Sequence, residues 1–260
     1  MSGTTPIYDC LRTYHVDNKK RYGNEGDGGY VIADMDIVYD CYISAGIGDE
    51  ESFSRDFLKK HNYIGKQHSY AFDASIEDYP WEYTKDIQFI KKYIRFFDGG
   101  GNTNLKKTIH NYNNIFLSMD IEGYEYEWLL SLEESELKRF KQIVIEIHGT
   151  DCDNCSNCPE WMDDFHYSGA KIPLQDKITA LKKLSETHYL IHAHPNNCGG
   201  GSMVNGVFVP RVIELTYIAK EVCNSPLKFN KIRFPLDRLD FPNSPDYSQV
   251  ELNSYPFVTK

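Results

Sequence analysis

Asp120, Glu122, Glu146, His148 and His194 are residues whose types and spacing could do chemistry together. Asp120 and Glu122 follow the apolar run Ile115–Met119. Glu146 lies in the run Gln142–Ile147, which His148 follows, and His194 comes after Tyr189–Ala193. A carboxylate at the end of a buried strand needs a partner or a task, because unpaired charge away from water is costly. Glu146 and His148 are two apart, so on a strand they share a face. Carboxylates and imidazoles so placed can take the proton of a hydroxyl nucleophile. Asp120 is expected to orient substrate or cofactor, and Glu146 or His148 to act as the base, with His194 the last candidate. The donors of Asp120, Glu122, Glu146 and His148 also suit Mg²⁺ or Mn²⁺; hydrogen bonding without a metal is the plainer alternative. Glu125, Glu127, Glu133 and Glu134 read as surface charges on helices, and His192 as a strand residue with a satisfied ring nitrogen.

A second constellation lies upstream. The run Tyr42-Ile43-Ser44-Ala45-Gly46-Ile47-Gly48-Asp49 ends an apolar strand in two glycines, and an amphipathic helix follows. Such glycines let a backbone approach a ligand, and the helix start offers free N–H groups. Asp73 closes the next strand, Tyr70-Ala71-Phe72, where an acidic side chain can take both hydroxyls of a ribose. The full dinucleotide fingerprint G-x-G-x-x-G is not met, because Glu51 stands where its third glycine would be. Asp49, Glu50 and Glu51 would repel a pyrophosphate. A phosphate-free adenosyl cofactor such as S-adenosylmethionine tolerates them.

A third cluster is Cys152-Asp153-Asn154-Cys155-Ser156-Asn157-Cys158, in a Cys-rich insert at 150–170, with Cys198 in a later loop. Cys152, Cys155 and Cys158 with Cys198, or with a histidine such as His166, would suffice for structural zinc. Free thiols on a surface loop are the alternative. Trp161, Phe165, His166 and Tyr167 in the insert could stack on a sugar ring or fasten the loop to the body.

Alternating elements must position these groups. Strands are expected at Asp40–Ser44, His68–Phe72, Ile94–Phe97, Ile115–Met119, Gln142–Ile147, Tyr189–Ala193 and Gly206–Pro210. Helices are expected at Glu51–Lys60, Asn104–Tyr112, Glu125–Leu132, Glu134–Phe140, Lys177–Thr187 and Arg211–Glu221. Several strands are apolar at successive positions, as in parallel sheets covered on both faces. The alternation gives an α/β doubly wound sheet. Residues 1–39 read as a lead and a β-hairpin turning at Gly26–Gly29, residues 40–224 as the main domain, and residues 225–260 as a Pro- and aromatic-rich tail packed on it.

The chain has 260 residues, 41% hydrophobic and 25% charged, ordinary for a soluble globular protein. A net charge of −10 argues against a nucleic-acid partner held by bulk electrostatics. No membrane span or secretory signal is evident, and seven cysteines then suggest reduced thiols in an intracellular, cytoplasmic protein.

The order of short motifs resembles a known family. Asp27-Gly28-Gly29-Tyr30-Val31, Ser44–Asp49, Phe72-Asp73, Met119-Asp120-Ile121-Glu122-Gly123-Tyr124-Glu125, Ile145-Glu146-Ile147-His148 and His194-Pro195-Asn196-Asn197 follow the pattern of FkbM-like class I S-adenosylmethionine-dependent methyltransferases. The resemblance covers roughly residues 20–220 and is most specific at Asp120–Gly123. It implies a Rossmann-like seven-stranded sheet, mostly parallel, with helices on both faces and an antiparallel last strand inserted beside the sixth. It implies methyl transfer to a hydroxyl of a sugar or other small-molecule acceptor. Carried over residue by residue, Gly46, Gly48 and Asp49 surround the methionine end of the cofactor, Asp73 holds its ribose, and Asp98 reads its adenine. Asp120 is expected beside the cofactor as well. Methylation of a protein or RNA, or a cofactor-binding scaffold without catalysis, are the alternatives. For RNA ribose methylation, no lysine stands evidently beside Asp120, Lys141 included.

Overall fold

The computed structural model describes residues 8–80, 85–151 and 171–259. The strands are β1 (Lys19–Tyr22), β2 (Tyr30–Ala33), β3 (Cys41–Ala45), β4 (Ser69–Phe72), β5 (Gln88–Ile90), β6 (Tyr93–Ile94), β7 (Asn102–Thr103), β8 (Ile115–Met119), β9 (Phe140–His148), β10 (His188–Pro195), β11 (Gly201–Val204), β12 (Val207–Pro210) and β13 (Val212–Ala219). The α-helices are α1 (Ser52–Lys60), α2 (Lys106–Ile109), α3 (Glu125–Ser131), α4 (Glu134–Leu137) and α5 (Leu174–Thr187).

Seven strands form the central sheet in the order β10-β13-β9-β8-β3-β4-β5. All neighbours are parallel except β13, which runs antiparallel to both β10 and β9. This is the sheet that the resemblance implies, with the last strand inserted beside the sixth. Residues of β3, β8, β9 and β13 are buried along their whole length. Burial on both faces is why these segments read as continuous apolar runs rather than alternating ones. On one face α1 presents Phe53 and Phe57 to Tyr42 and Phe116. On the other face α3 and α5 pack Trp128, Leu129, Leu181 and Leu184 against Leu117 and Ile145. The β1–β2 hairpin docks on the sheet: the Gln142 side chain pairs with the Ala33 backbone, and the Thr216 hydroxyl donates to the Val31 carbonyl. The tail buries Phe234, Leu252 and Phe257 in the core. No helix of the described residues is long and apolar enough to cross a membrane.

Three expectations are corrected. The segment expected as helix Arg211–Glu221 is the strand β13. Its apolar residues at 212, 213, 215, 217 and 218 imitate helical spacing, but its β-branched residues lie between β10 and β9. The third strand of the sheet is Gln88–Ile90, not Ile94–Phe97; Tyr93–Ile94 pairs instead with Asn102–Thr103 outside the main sheet. Within the expected strand Gly206–Pro210, Val207–Pro210 pairs only with Gly201–Val204, across an Asn205-Gly206 turn whose two residues both have positive φ.

Candidate active site

The carboxyl ends of β3, β4 and β8 enclose a cavity of about 360 Å³, within the range of small-molecule sites. Its lining includes Gly46, Gly48, Asp49, Asp73, Asp120 and Glu122. The glycine turn is held from both sides. The Gly46 N–H donates to the Phe72 carbonyl at 2.9 Å, and the Asp120 N–H to the Ala45 carbonyl at 2.8 Å. Gly46 has φ +75, and a Cβ there would stand 1.5 Å from the Asp120 carbonyl oxygen. The turn and the Asp120 backbone can approach this closely only because residue 46 has no side chain. Gly48 has φ +55, and a Cβ there would meet nothing within 4 Å.

Asp73 braces the turn. Its Oδ2 accepts the N–H groups of Ile47 (2.8 Å) and Gly48 (3.0 Å), and its Oδ1 accepts the N–H and hydroxyl of Ser75. Burial alone would raise this carboxyl; the hydrogen bonds from Ser75, Gly48 and Ile47 outweigh it and hold the pKa below its ordinary value. Asp49 is exposed on the cavity lining. Asp98 lies outside the cavity: it is exposed, and its Oδ1 accepts the Asn104 N–H. The sheet's third strand ends at Ile90, so the residues that follow it into the cavity wall are Lys92, Tyr93, Ile94 and Arg95. The Arg95 guanidinium lies 3.4 Å above the Tyr124 ring centroid, a cation–π contact that fixes this wall.

Asp120, Glu122 and His148 come together, each offering a ligand atom within 4.8 Å of the others. His148 Nε2 is 3.8 Å from Asp120 Oδ1 and 3.5 Å from Glu122 Oε2. Its Nδ1 is 3.2 Å from Glu125 Oε1, which also accepts the N–H groups of Ile121 and Gly123. Glu125 is fully buried, which corrects its reading as a surface charge. Burial alone would lower the His148 pKa, but Glu125, Asp120 and Glu146 outweigh it and raise it well above the ordinary value. Burial, with Glu122 and Glu125 against His148, pushes Asp120 up to about 7. Asp120 Oδ1 has no hydrogen-bond partner. Glu122 holds its place with φ +54, an uncommon conformation for a residue with a side chain.

Glu146 and His148 stand behind Asp120 and Glu122; neither is among the cavity-lining residues. Glu146 accepts a hydrogen bond from Asn196 (3.0 Å), and burial next to Asp120 raises its pKa well above the ordinary value. His194 is also set back. It lies within β10, and its Nδ1 is 3.0 Å from Glu214 Oε2, whose other oxygen accepts from Asn243 of the tail. His192 meets Asp240 of the tail through Nε2 at 2.8 Å. Cys152, Cys155 and Cys158 lie outside the described residues, as do Trp161, Phe165, His166 and Tyr167. Cys198 is exposed and belongs to no cluster of three metal-ligating side chains among the described residues.

Sequence reasoning missed two groups that line or support the cavity. Glu125 carries a signal in hindsight, since it follows Gly123 by two residues at a helix start, where a carboxylate can accept backbone N–H groups. Glu51 reads in the sequence as one of three charges against a pyrophosphate at the start of a helix, and its carboxyl is buried on the cavity lining.

No protein-family model matches the chain, and no curated protein matches it. Among solved structures the chain is similar to two structures of the methyltransferase domain of bacterial CtHen1, CtHen1-CN and CtHen1-C. The identity is 12% in both, with TM-scores of 0.34 and 0.38; the match covers 69% and 70% of this chain and 90% of each domain. It is also similar to PigF with SAH, at 10% identity and a TM-score of 0.33, over 72% of this chain and 52% of PigF. Likeness at this level says nothing of what the present chain acts on.

Proposed function

We propose that this chain is an S-adenosylmethionine-dependent O-methyltransferase acting on a hydroxyl of a sugar or another small acceptor. The observation that carries the reading is the cavity itself. One wall is a glycine turn braced by Asp73, and another is the Asp120–Glu122 segment beside His148. The FkbM-like motifs of the sequence support the same reading. S-adenosylmethionine supplies a methyl group activated on a sulfonium, with a neutral leaving group. The protein's share is then positioning, exclusion of water and removal of one proton.

Asp73 is assigned to the ribose, whose hydroxyl would take the place on Oδ1 that the Ser75 hydroxyl holds in the free chain. Tyr93 and Arg95 take the place expected of Asp98 beside the adenine. Asp120, on the cavity wall, is the group to accept the hydroxyl proton. His148 holds a positive charge behind it, fixed through Nδ1 by Glu125. Glu146 and His194 act from further back as parts of the buried hydrogen-bond network.

The same cluster fits a divalent cation. Asp120, Glu122 and His148 would hold Mg²⁺ or Mn²⁺, with Glu125 on Nδ1 leaving Nε2 as the ligand atom. Bound there, such an ion lowers the pKa of a coordinated hydroxyl. Structural zinc at Cys152, Cys155, Cys158 and Cys198 stands as a separate proposal; a chelator that lowers the melting temperature without changing cofactor binding supports it.

A transfer assay with methyl-labelled S-adenosylmethionine over nucleotide-sugars, glycans, peptides and RNA tests the function. Label on a sugar hydroxyl is the expected result. Label only on peptide or RNA contradicts the acceptor class, and cofactor binding without transfer to any acceptor favours the scaffold alternative.

A further inference from the structure

The cavity is unevenly charged. Asp27, Asp49, Glu50, Glu51, Asp120 and Glu122 line it, against Lys92 and Arg95 from the loop after β5. Of the lining carboxylates Glu51 and Asp73 are buried, and Asp73 is held by four hydrogen bonds from the glycine turn and Ser75. Glu51 sits at the start of α1, where Oε1 accepts the Ser44 hydroxyl at 2.9 Å and Oε2 the Tyr79 hydroxyl at 3.0 Å. The titratable groups around it are Glu50 beside it, Tyr42 of β3 and Tyr79. Among the described residues no lysine, arginine or histidine forms an ion pair with it. Hydroxyl donors, here Ser44, Tyr79 and Ser54, do not replace a counter-cation for a carboxylate shielded from water. The missing charge can come from a ligand in the cavity.

The direction of the cavity says which part of the ligand. Asp73 holds the Ile47–Gly48 end of the glycine turn, whereas Glu51 lines the same cavity on the strand side of the turn, held by Ser44 of β3. We propose, on the strength of the S-adenosylmethionine reading, that Glu51 seats the α-ammonium group at the amino-acid end of the cofactor. Ser44 and Tyr79 then hold the carboxylate in position for that group. Burial pushes free Glu51 up to about 7. Seating an ammonium ion favours the carboxylate, so around neutral pH the cofactor displaces a proton from Glu51 to solvent.

Calorimetry tests this with three probes: S-adenosylhomocysteine, the same molecule lacking its α-amino group, and 5′-methylthioadenosine, which has no amino-acid end. On the unmodified chain, loss of the amino group is expected to weaken binding roughly tenfold or more. On Glu51→Gln the first two probes should bind alike, and 5′-methylthioadenosine should bind the variant as it binds the unmodified chain. Equal affinity of the first two probes for the unmodified chain overturns the assignment, and does so even if the variant does not fold. A variant that weakens all three probes equally overturns it as well, because Glu51 is then a structural group only. If none of the probes binds the unmodified chain, the cofactor reading itself fails.

Discussion

Glu51→Gln should make the protein more stable as the pH rises, relative to the unmodified chain. The carboxyl is buried at the start of α1, and burial raises its pKa from 4.5 to about 7 despite hydroxyl donors from Ser54, Ser44 and Tyr79. A folded-state pKa above the unfolded one means that the group's contribution is fully present below pH 4.5. It is lost as the pH rises through about 7. The shift of about 2.5 units (4.5 to about 7) corresponds to about 3 kcal/mol at most. Between about pH 5 and about pH 8 the stability difference between variant and unmodified chain should therefore grow by roughly 2.5 kcal/mol. Glutamine keeps the length of the side chain and cannot ionise, and its amide can hydrogen-bond both Ser44 and Tyr79. Urea unfolding of both proteins across this range, without ligand, measures the difference directly. Two stability curves that stay parallel would refute the reasoning, because Glu51 would then ionise in the fold as freely as in the unfolded chain.

Gly46→Ala and Gly48→Ala should differ sharply in thermal unfolding. The second costs about 1–2 kcal/mol for its left-handed backbone, while the first adds a clash with the Asp120 carbonyl; equal losses would contradict the close packing of the turn. Glu125→Ala should cost roughly 3–5 kcal/mol, as expected when one partner of a buried charged pair is removed, with Glu127→Ala as the mild control. Similar losses in urea unfolding would contradict the buried role of Glu125. Mn²⁺ titrated into the protein and followed by electron paramagnetic resonance should bind, and His148→Ala should weaken it by roughly tenfold or more. Absence of Mn²⁺ binding would remove the ion from the mechanism and leave hydrogen bonding alone.

The strands that carry the glycine turn and Asp120 were legible because both are short apolar runs ended by glycine or acid. Ile115–Met119 reads directly as β8, and the expected Asp40–Ser44 overlaps β3, Cys41–Ala45, one residue off at each end. β13 was not legible, because a strand buried on both faces shows no alternation and its apolar spacing resembles a helix. β5 has only three half-buried residues and pairs with one neighbour, so it leaves a faint pattern, and Asp98 was placed from the wrong strand end. Of the expected donor set Asp120, Glu122, Glu146 and His148, the structure brings Asp120, Glu122 and His148 within ligand distance of one another, and Glu146 is not among them. The role of Glu125 was not read, although its place two residues after Gly123 at a helix start is one where a carboxylate can turn back to accept backbone N–H groups. Tail residues Asp240 and Asn243 reach His192 and Glu214 across some 30 to 50 positions, a contact that spacing along the sequence does not announce.

A crystal structure of the chain grown with S-adenosylhomocysteine tests the central claim most directly. The account expects a nucleoside in the cavity, ribose hydroxyls on Asp73, the adenine against Tyr93 and Arg95, and the sulfur turned toward Asp120. A ligand bound elsewhere, or a cavity closed by its own side chains under saturating ligand, would contradict it.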